Sequence, residues 1–428
     1  MVDQPVPLSA GIGEAAPLAH YHGSGHGSAG GLRTWAAMNG VAFRLYWGSS
    51  MAHMGAMNVQ QMVQPWFVYE ITQSSTMLGV ASLAGAIPML ALSPVGGYLA
   101  DRFPKKDLLF FGQFASLILA LLLGVGITLG MVTAAALLIA SALQGALMAI
   151  MMPARQAMIV DIVERKDLSN ALALNNAGMN VNRLLAPAFT GFLVALAGPA
   201  SGYYAIAALF VIAVLLTARL PKSPPGNAHE GFLTQMRGGI AYVREDKTIL
   251  AILLVTLGGV ALSMPYMTLL PVFTKDVLAV GPEKLGLLMG VSGGGALLAS
   301  LVIASMSDRN RGLWYLASMV LLGAALVGFA ISRSYALALF FIIPIGVGQA
   351  GRMAFSNILV QSYVQDVYRG RVMSIFLMEF GLTSISTFGV ALFADAVGIA
   401  WALGVTGAIL VAFTAVIACL VPRLTRLQ

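Results

Sequence analysis

The chain has 428 residues, 58% hydrophobic and 10% charged, with a formal net charge of +7. Soluble domains average about 25% charged residues, and the mean hydropathy here is +0.85. This excludes a soluble enzyme, a nucleic-acid-binding domain and a disordered chain. Long apolar runs without period-2 alternation exclude an outer-membrane barrel as well. The basic residues fall between apolar runs, so they read as topology determinants.

Residues 1–40 form a tail rich in Gly, Ala, Pro and Ser, without the basic-then-apolar order of a signal peptide. Its His20, His22 and His26 read as tail residues and not as a metal site. Apolar runs then follow at 43–70, 76–100, 107–129, 131–160, 169–197 and 200–220. A second set lies at 248–274, 285–306, 312–332, 335–364, 370–396 and 398–421. A helical span takes about 20 apolar residues, so the expected fold class is an all-α membrane protein with twelve transmembrane helices. Residues 41–220 make an N-terminal six-helix bundle, 248–421 a C-terminal one, and 422–428 a short tail.

Between the bundles, residues 221–247 form the longest internal polar segment. There Phe232, Met236, Ile240 and Val243 share one helix face, which predicts a short amphipathic helix at the inner membrane surface. With the N-terminus inside, inner loops hold Arg102, Lys105, Lys106, Arg165, Lys166, Lys222, Arg237, Arg244, Lys247, Arg309, Arg311, Arg369 and Arg371. Outer loops hold only Lys275, Lys284 and Arg333. That asymmetry places both termini of this multi-pass chain in the cytoplasm. Cys419, alone in the last run, forms no internal disulfide and reads as a small buried apolar residue.

The halves echo each other. Gly97-Tyr98-Leu99-Ala100-Asp101-Arg102 follows the second run, and Ser305-Met306-Ser307-Asp308-Arg309 follows the eighth. Repeated halves are a mark of secondary transporters, whose substrate site lies between the repeats near the midplane.

The segment Gly97-x-Leu99-Ala100-Asp101-Arg102-x-x-Lys105-Lys106 resembles the loop signature of the major facilitator superfamily. Within it, four stretches resemble the enterobactin-exporter and macrolide-efflux branch. They are Phe43–Trp47 with Pro65–Thr72, Pro153–Ala157 with Ala171–Asn175, Leu270–Phe273 with Gly286–Met289, and Gly370–Ser374. The chain departs from these patterns at Pro104, where the signature has Gly, and at Ala56, where the branch has an acidic residue. Ala186-Pro187 and Gly191-Phe192 depart from the antiporter signature of the fifth span. The resemblance implies two pseudo-symmetric six-helix bundles and efflux-type transport by alternating access. It also implies a charge network of Asp101, Arg102 and Asp161, with Gly97 in the same loop signature, that locks the inside-closed state; Asp308 and Arg309 are the second-half counterpart.

Ionisable groups inside spans are costly, roughly 2.5–3.5 kcal/mol on insertion scales, and are functional candidates by default. Glu379, in the eleventh span, is a candidate for reversible proton binding or a structural partner of Arg352. Arg183 and Arg352 are candidates to bind an anionic substrate group or to hold a carboxylate in one conformational state. The first span carries His53, Asn58, Gln60, Gln61 and Gln64, which line a water-filled cavity or hydrogen-bond between helices. Met264, Tyr266 and Met267 flank Pro265, where the seventh span should kink into an adaptable apolar wall. Gly293, Gly294 and Gly295 suit close helix packing.

No G-x-x-x-x-G-K-[ST] loop is present, which argues against ATP-driven transport by this chain alone. No nucleophile-and-base set is recognisable, so the chain is not read as an enzyme. The expected function is a monomeric secondary exporter of small amphipathic molecules such as drugs or siderophores. It would have no cofactor, use the proton gradient as driving force, and have the small-molecule substrate and the lipid bilayer as partners, with no nucleic acid. The alternatives are a lipid or lysolipid flippase or facilitator of the same fold, and an importer, since fold does not set direction.

Overall fold

The computed structural model describes residues 37–221, 247–306, 310–364 and 379–420. The first half comprises α1 (Val41–Thr72), α2 (Ser75–Arg102), α3 (Lys105–Thr128), α4 (Ala134–Ile162), α5 (Leu168–Ala197) and α6 (Pro199–Ala218). The second comprises α7 (Lys247–Ser263), α8 (Pro265–Val272), α9 (Pro282–Ser305), α10 (Arg311–Ile331), α11 (Tyr335–Tyr363), α12 (Glu379–Val397) and α13 (Ile399–Leu420). The described residues contain ten helices long and apolar enough to cross a membrane, plus the shorter Gly381–Val397. The 32-residue α1 is not among the ten. The His, Asn and Gln side chains at its centre lower its hydropathy. The helices match the twelve predicted runs, with α7 and α8 sharing the seventh.

Helix boundaries follow local chemistry. Ser74, Thr133 and Ser334 are N-caps whose hydroxyls accept from the N–H groups of Met77, Ala136 and Leu337. Gly198 closes α5 at φ 76° and Gly398 closes α12 at φ 92°, a backbone region that glycine enters without Cβ strain. The seventh span breaks at Met264, where Pro265 opens α8, and ends in a π-helical turn over Phe273–Val277.

These features repeat by half. Thr133 and Ser334 cap the fourth and tenth spans, and Gly198 and Gly398 turn the chain after the fifth and eleventh. Helix pairing repeats too. The second span packs on the fourth (α2 on α4, α9 on α11) and the third on the sixth (α3 on α6, α10 on α13). The most extensive contacts between the halves are α5 against α9 and α2 against α12, which exchange under the same six-span shift, while α1 and α2 also touch α8. Backbones touch at equivalent points: a Cβ on Gly145 would overlap the Gly85 carbonyl oxygen, and one on Gly346 would overlap that of Ser292. Such contacts let dispersion hold helices together where lipid removes the hydrophobic drive between them. One apolar cluster runs through both halves, and a second, around Phe43, Tyr46, Leu109, Met151 and Met158, fills the N-terminal half near the start of α1.

The predicted amphipathic linker helix, the C-terminal tail and residues 1–36 of the N-terminal tail lie outside the described residues, while Ala37 is buried and donates its N–H to Asn170 Oδ1 at 3.1 Å. Cys419 is exposed, contrary to the buried site expected of it. On a lipid-facing helix surface an apolar thiol needs no protein cover.

Gly145→Val and Gly346→Val should each drive a helix pair apart, at a cost of about 1–3 kcal/mol or more. Gly97→Ala, where a Cβ meets nothing within 4 Å, should leave the melting temperature unchanged. Thermal unfolding of the purified variants followed by size exclusion reads the difference.

Candidate functional site

The face that α5 turns toward the other half defines the site. Val181, Leu185, Phe192 and Leu196 form one exposed apolar stripe along α5, suited to lipid. Leu172, Asn176 and Arg183 lie on the opposite side and are also exposed. Farther along that same side, Pro187, Thr190 and Val194 are buried. A cleft between the halves is therefore open from the start of α5 to Arg183 and sealed beyond it. In the predicted topology the open end is the inner one.

Arg183 sits midway along the 30-residue α5. Its carbonyl oxygen lies against Gly293, where a Cβ would stand 2.9 Å away. Ser292, the next residue on α9, is hydrogen-bonded to the Tyr266 side chain. The Tyr266 hydroxyl feels the charge of both Arg183 and Arg352.

The second half contributes a buried ion pair. Arg352 on α11 donates from Nη1 to Glu379 Oε1 on α12 at 3.3 Å. Arg352 is wholly buried while Glu379 is partly exposed. The remaining Arg352 donors, Nε and Nη2, have no partner. Tyr315, which donates to Thr256 Oγ1 at 3.4 Å, stands within electrostatic reach of both charges. Gln349, one turn before Arg352, donates to Met264 Sδ at 2.8 Å. The pairing predicted for Arg352 and Glu379 is thus present, but Tyr266 is buried at 3% exposure, so it supports the cleft wall and does not form its open surface.

The polar residues of α1 divide. His53, Gln60 and Gln64 were expected to line the substrate cavity, yet they turn into the N-terminal bundle. His53 is wholly buried with its ring edge-on to Phe210, and neither ring nitrogen has a partner. Gln60 donates to Gln64 Oε1 at 2.8 Å, and Gln64 donates to Ser141 Oγ at 2.5 Å. Gln60 also borders a small cavity with Gln144, Ser116 and Tyr203, with room for about one water. The interhelical reading therefore wins at Gln64, whereas Gln60 bonds within α1 and faces that small cavity. Asn58 bonds back to the Met54 carbonyl at 2.8 Å, and Gln61 is the exposed member of the set.

The two ends of the cleft differ. At the sealed end, Asp395 of α12 accepts from Ser74 Oγ at 2.8 Å and from the backbone N–H groups of Ser75 and Thr76 at 2.7 and 2.9 Å. A carboxylate from one half thus caps a helix of the other, where orphan N–H groups and the helix dipole both favour an anion. Tyr69 OH donates to Asp276, and Lys275 lies over the Tyr69 ring at 5.6 Å. At the open end, charges pair within the first half: Lys105 binds Asp161, and Arg102 donates to Tyr98 OH. Among the described residues the predicted network of Asp101, Arg102 and Asp161 is therefore not assembled: Lys105 holds Asp161, and Arg102 bonds to Tyr98. Asp308 and Arg309 lie outside the described residues.

Asp276 and Asp395 escaped the sequence reading. The readable signal was the Ser74-Ser75-Thr76 cap opening the second span, which invites an acceptor. Asp395→Ala should lengthen spin-label distances between the sealed-end tips of α2 and α12. Asp395→Asn, which keeps an acceptor oxygen, should lengthen them less. Equal distributions in all three proteins would remove this contact from the closure.

Residues 32–427 match the model of MFS_3, the transmembrane secretion effector family. The chain is 26% identical to the staphyloferrin A transporter of Staphylococcus aureus over 80% of its own length and 87% of that protein. It is 22% identical to macrolide efflux protein A of Streptococcus pyogenes, covering 84% and 91% of the two chains. Its fold matches a bacterial homologue of the human lysosomal transporter Spinster in an inward-facing, unoccupied conformation, with TM-score 0.71, 13% identity and coverage of 93% and 98%. The chain belongs to the transmembrane secretion effector family: it is a multi-pass transporter of the major facilitator superfamily, with relatives in siderophore, macrolide and drug efflux, and not an enzyme.

Proposed function

We propose that the chain is a proton-coupled secondary exporter of small amphipathic molecules, working by alternating access. It would act as a monomer in a bacterial inner membrane, with both termini in the cytoplasm, as the loop charges predict. The observation that carries the reading is the Arg352–Glu379 pair beside a cleft open at one end only. A buried guanidinium left without its counter-ion is strongly destabilising. A proton on Glu379 therefore releases the side-chain link between α11 and α12. The change is local, yet α12 also supplies Asp395 to the closure at its far end. Proton binding near the cleft and closure at the other end share one helix, which is the kind of bistable element a transport cycle needs. The staphyloferrin A transporter and macrolide efflux protein A among the relatives favour export and a substrate in the siderophore or drug class.

The test is proton flux in proteoliposomes during addition of a panel of drugs, siderophores and lysolipids. Wild-type protein should move protons only when substrate is present. Glu379→Gln should lose substrate-driven proton movement by at least tenfold while keeping substrate affinity within about threefold. Full proton-driven transport by Glu379→Gln removes this carboxyl from the coupling. Transport without proton movement in the wild type replaces the antiporter with a facilitator or lipid flippase of the same fold.

A further inference from the structure

The open face of α5 ends on a cation that no acidic side chain neutralises among the described residues. The carboxylates nearest the cleft are committed elsewhere: Glu379 to Arg352, Asp395 to the start of α2, Asp276 to Tyr69, Asp161 to Lys105. Arg183 stands midway along its helix, at the depth where an ionised group is least tolerated without water or a counter-charge. The lipid side of α5 is the Val181, Leu185, Phe192 and Leu196 stripe, so the guanidinium points away from lipid and into the cleft. It lies where the cleft stops, since Pro187 and Thr190 are buried just beyond.

Across the half interface the neighbours are also donors. Tyr266 is hydrogen-bonded to Ser292, which adjoins the Gly293 against which Arg183 packs. Arg352 keeps Nε and Nη2 without a partner. Two guanidinium groups and one carboxylate leave an uncompensated positive charge at the apex. Arg352 is wholly buried, so it adds positive potential behind the apex wall, while the exposed Arg183 is the group that meets an anion there. A guanidinium fork suits planar oxyanions, which it binds through two parallel hydrogen bonds. Partly buried Met179, Met264 and Met267 supply polarizable apolar surface to the same region.

We propose that the transported molecule carries an oxyanion head group, a carboxylate or a phosphate, and that Arg183 at the apex of the cleft is the residue that selects it. The inference rests on the exporter reading for the word transported. The binding itself depends on neither direction nor proton coupling, so the two can fail separately.

The test is isothermal titration of the full chain in lipid nanodiscs with four small, water-soluble probes of similar size. Phthalate and phenyl phosphate are the anions, phthalamide is neutral and benzyltrimethylammonium is cationic. Wild-type protein should bind at least one anion at least tenfold more tightly than the neutral and cationic probes. The anion that binds tells a carboxylate from a phosphate. Arg183→Gln should abolish that preference without changing phthalamide affinity or the melting temperature, and Arg183→Lys should retain part of it. If neither anion exceeds its uncharged counterpart in the wild type, or if Arg183→Gln keeps the preference, the proposal is overturned. A Gln variant that fails to fold leaves Arg183→Lys and the wild-type probe ranking to decide.

Discussion

An ionised side chain in hydrocarbon has few resting places: a partner, a water-filled cleft or the membrane surface. This constraint arranges the whole molecule. Arg352 is buried and takes Glu379 as its partner. Arg183 has no acidic partner among the described residues and occurs where α5 borders the cleft instead of lipid. Most of the remaining described charges gather near the ends of helices, as Lys105 with Asp161 and Glu164 with Lys166 do, while Arg155 is an exception about two turns inside α4. The apolar composition thus makes each central charge informative, because a protein built this way has little reason to tolerate one without use.

Duplication explains how so few polar contacts suffice. The six-span shift that relates α2 on α4 to α9 on α11 also relates the two most extensive inter-half contacts, α5 on α9 and α2 on α12. Within each half the helices meet backbone to backbone at Gly145 and Gly346, so each half moves as a packed unit. Between halves the contacts are of two kinds. Gly191 with Gly286, and Arg183 with Gly293, are close approaches of smooth helix surface. Asp395 on the start of α2 and Asp276 on Tyr69 are directional polar contacts at the sealed end, and Ser82 Oγ on Ser384 Oγ at 3.0 Å adds one farther along α2 and α12. Smooth surfaces permit rocking, whereas directional contacts choose where it stops.

The sequence made the architecture legible because run length and loop charge are one-dimensional signals. Twelve apolar runs, the break at Pro265 and the Gly-mediated packing at Gly293 each follow from local chemistry. The site was legible in part. Glu379 and Arg352 stood out since ionisable groups are rare in such runs, and their contact needed only that α11 and α12 touch. The α1 amides were harder. His53, Gln60 and Gln64 share a helix face, but a shared face does not say whether it meets a cleft or a neighbouring helix, and here it meets α4 and α6. The charge network expected around Asp101 and Asp161 belongs to a closed inner end, while this structure has Lys105 on Asp161. A single sequence encodes both ends of a transport cycle, and one structure displays one of them.

A Cβ on Gly97 would meet nothing within 4 Å, so the open end gives no steric reason for glycine at this position. Gly145 and Gly346, by contrast, are needed in the structure as it stands. A glycine with empty space around it, on the helix that carries Asp101 and Arg102, makes sense if another backbone arrives when the inner end closes. The Lys105–Asp161 pair must then share its carboxylate or give it up. Closure at the inner end would gain the charge contacts that are dispersed here, and opening at the outer end would surrender those of Asp395 and Asp276. The two sets lie toward opposite ends of the molecule, so one rocking motion exchanges them. The small difference between two similar sets of exposed polar contacts is what a bound substrate or a single proton must tip.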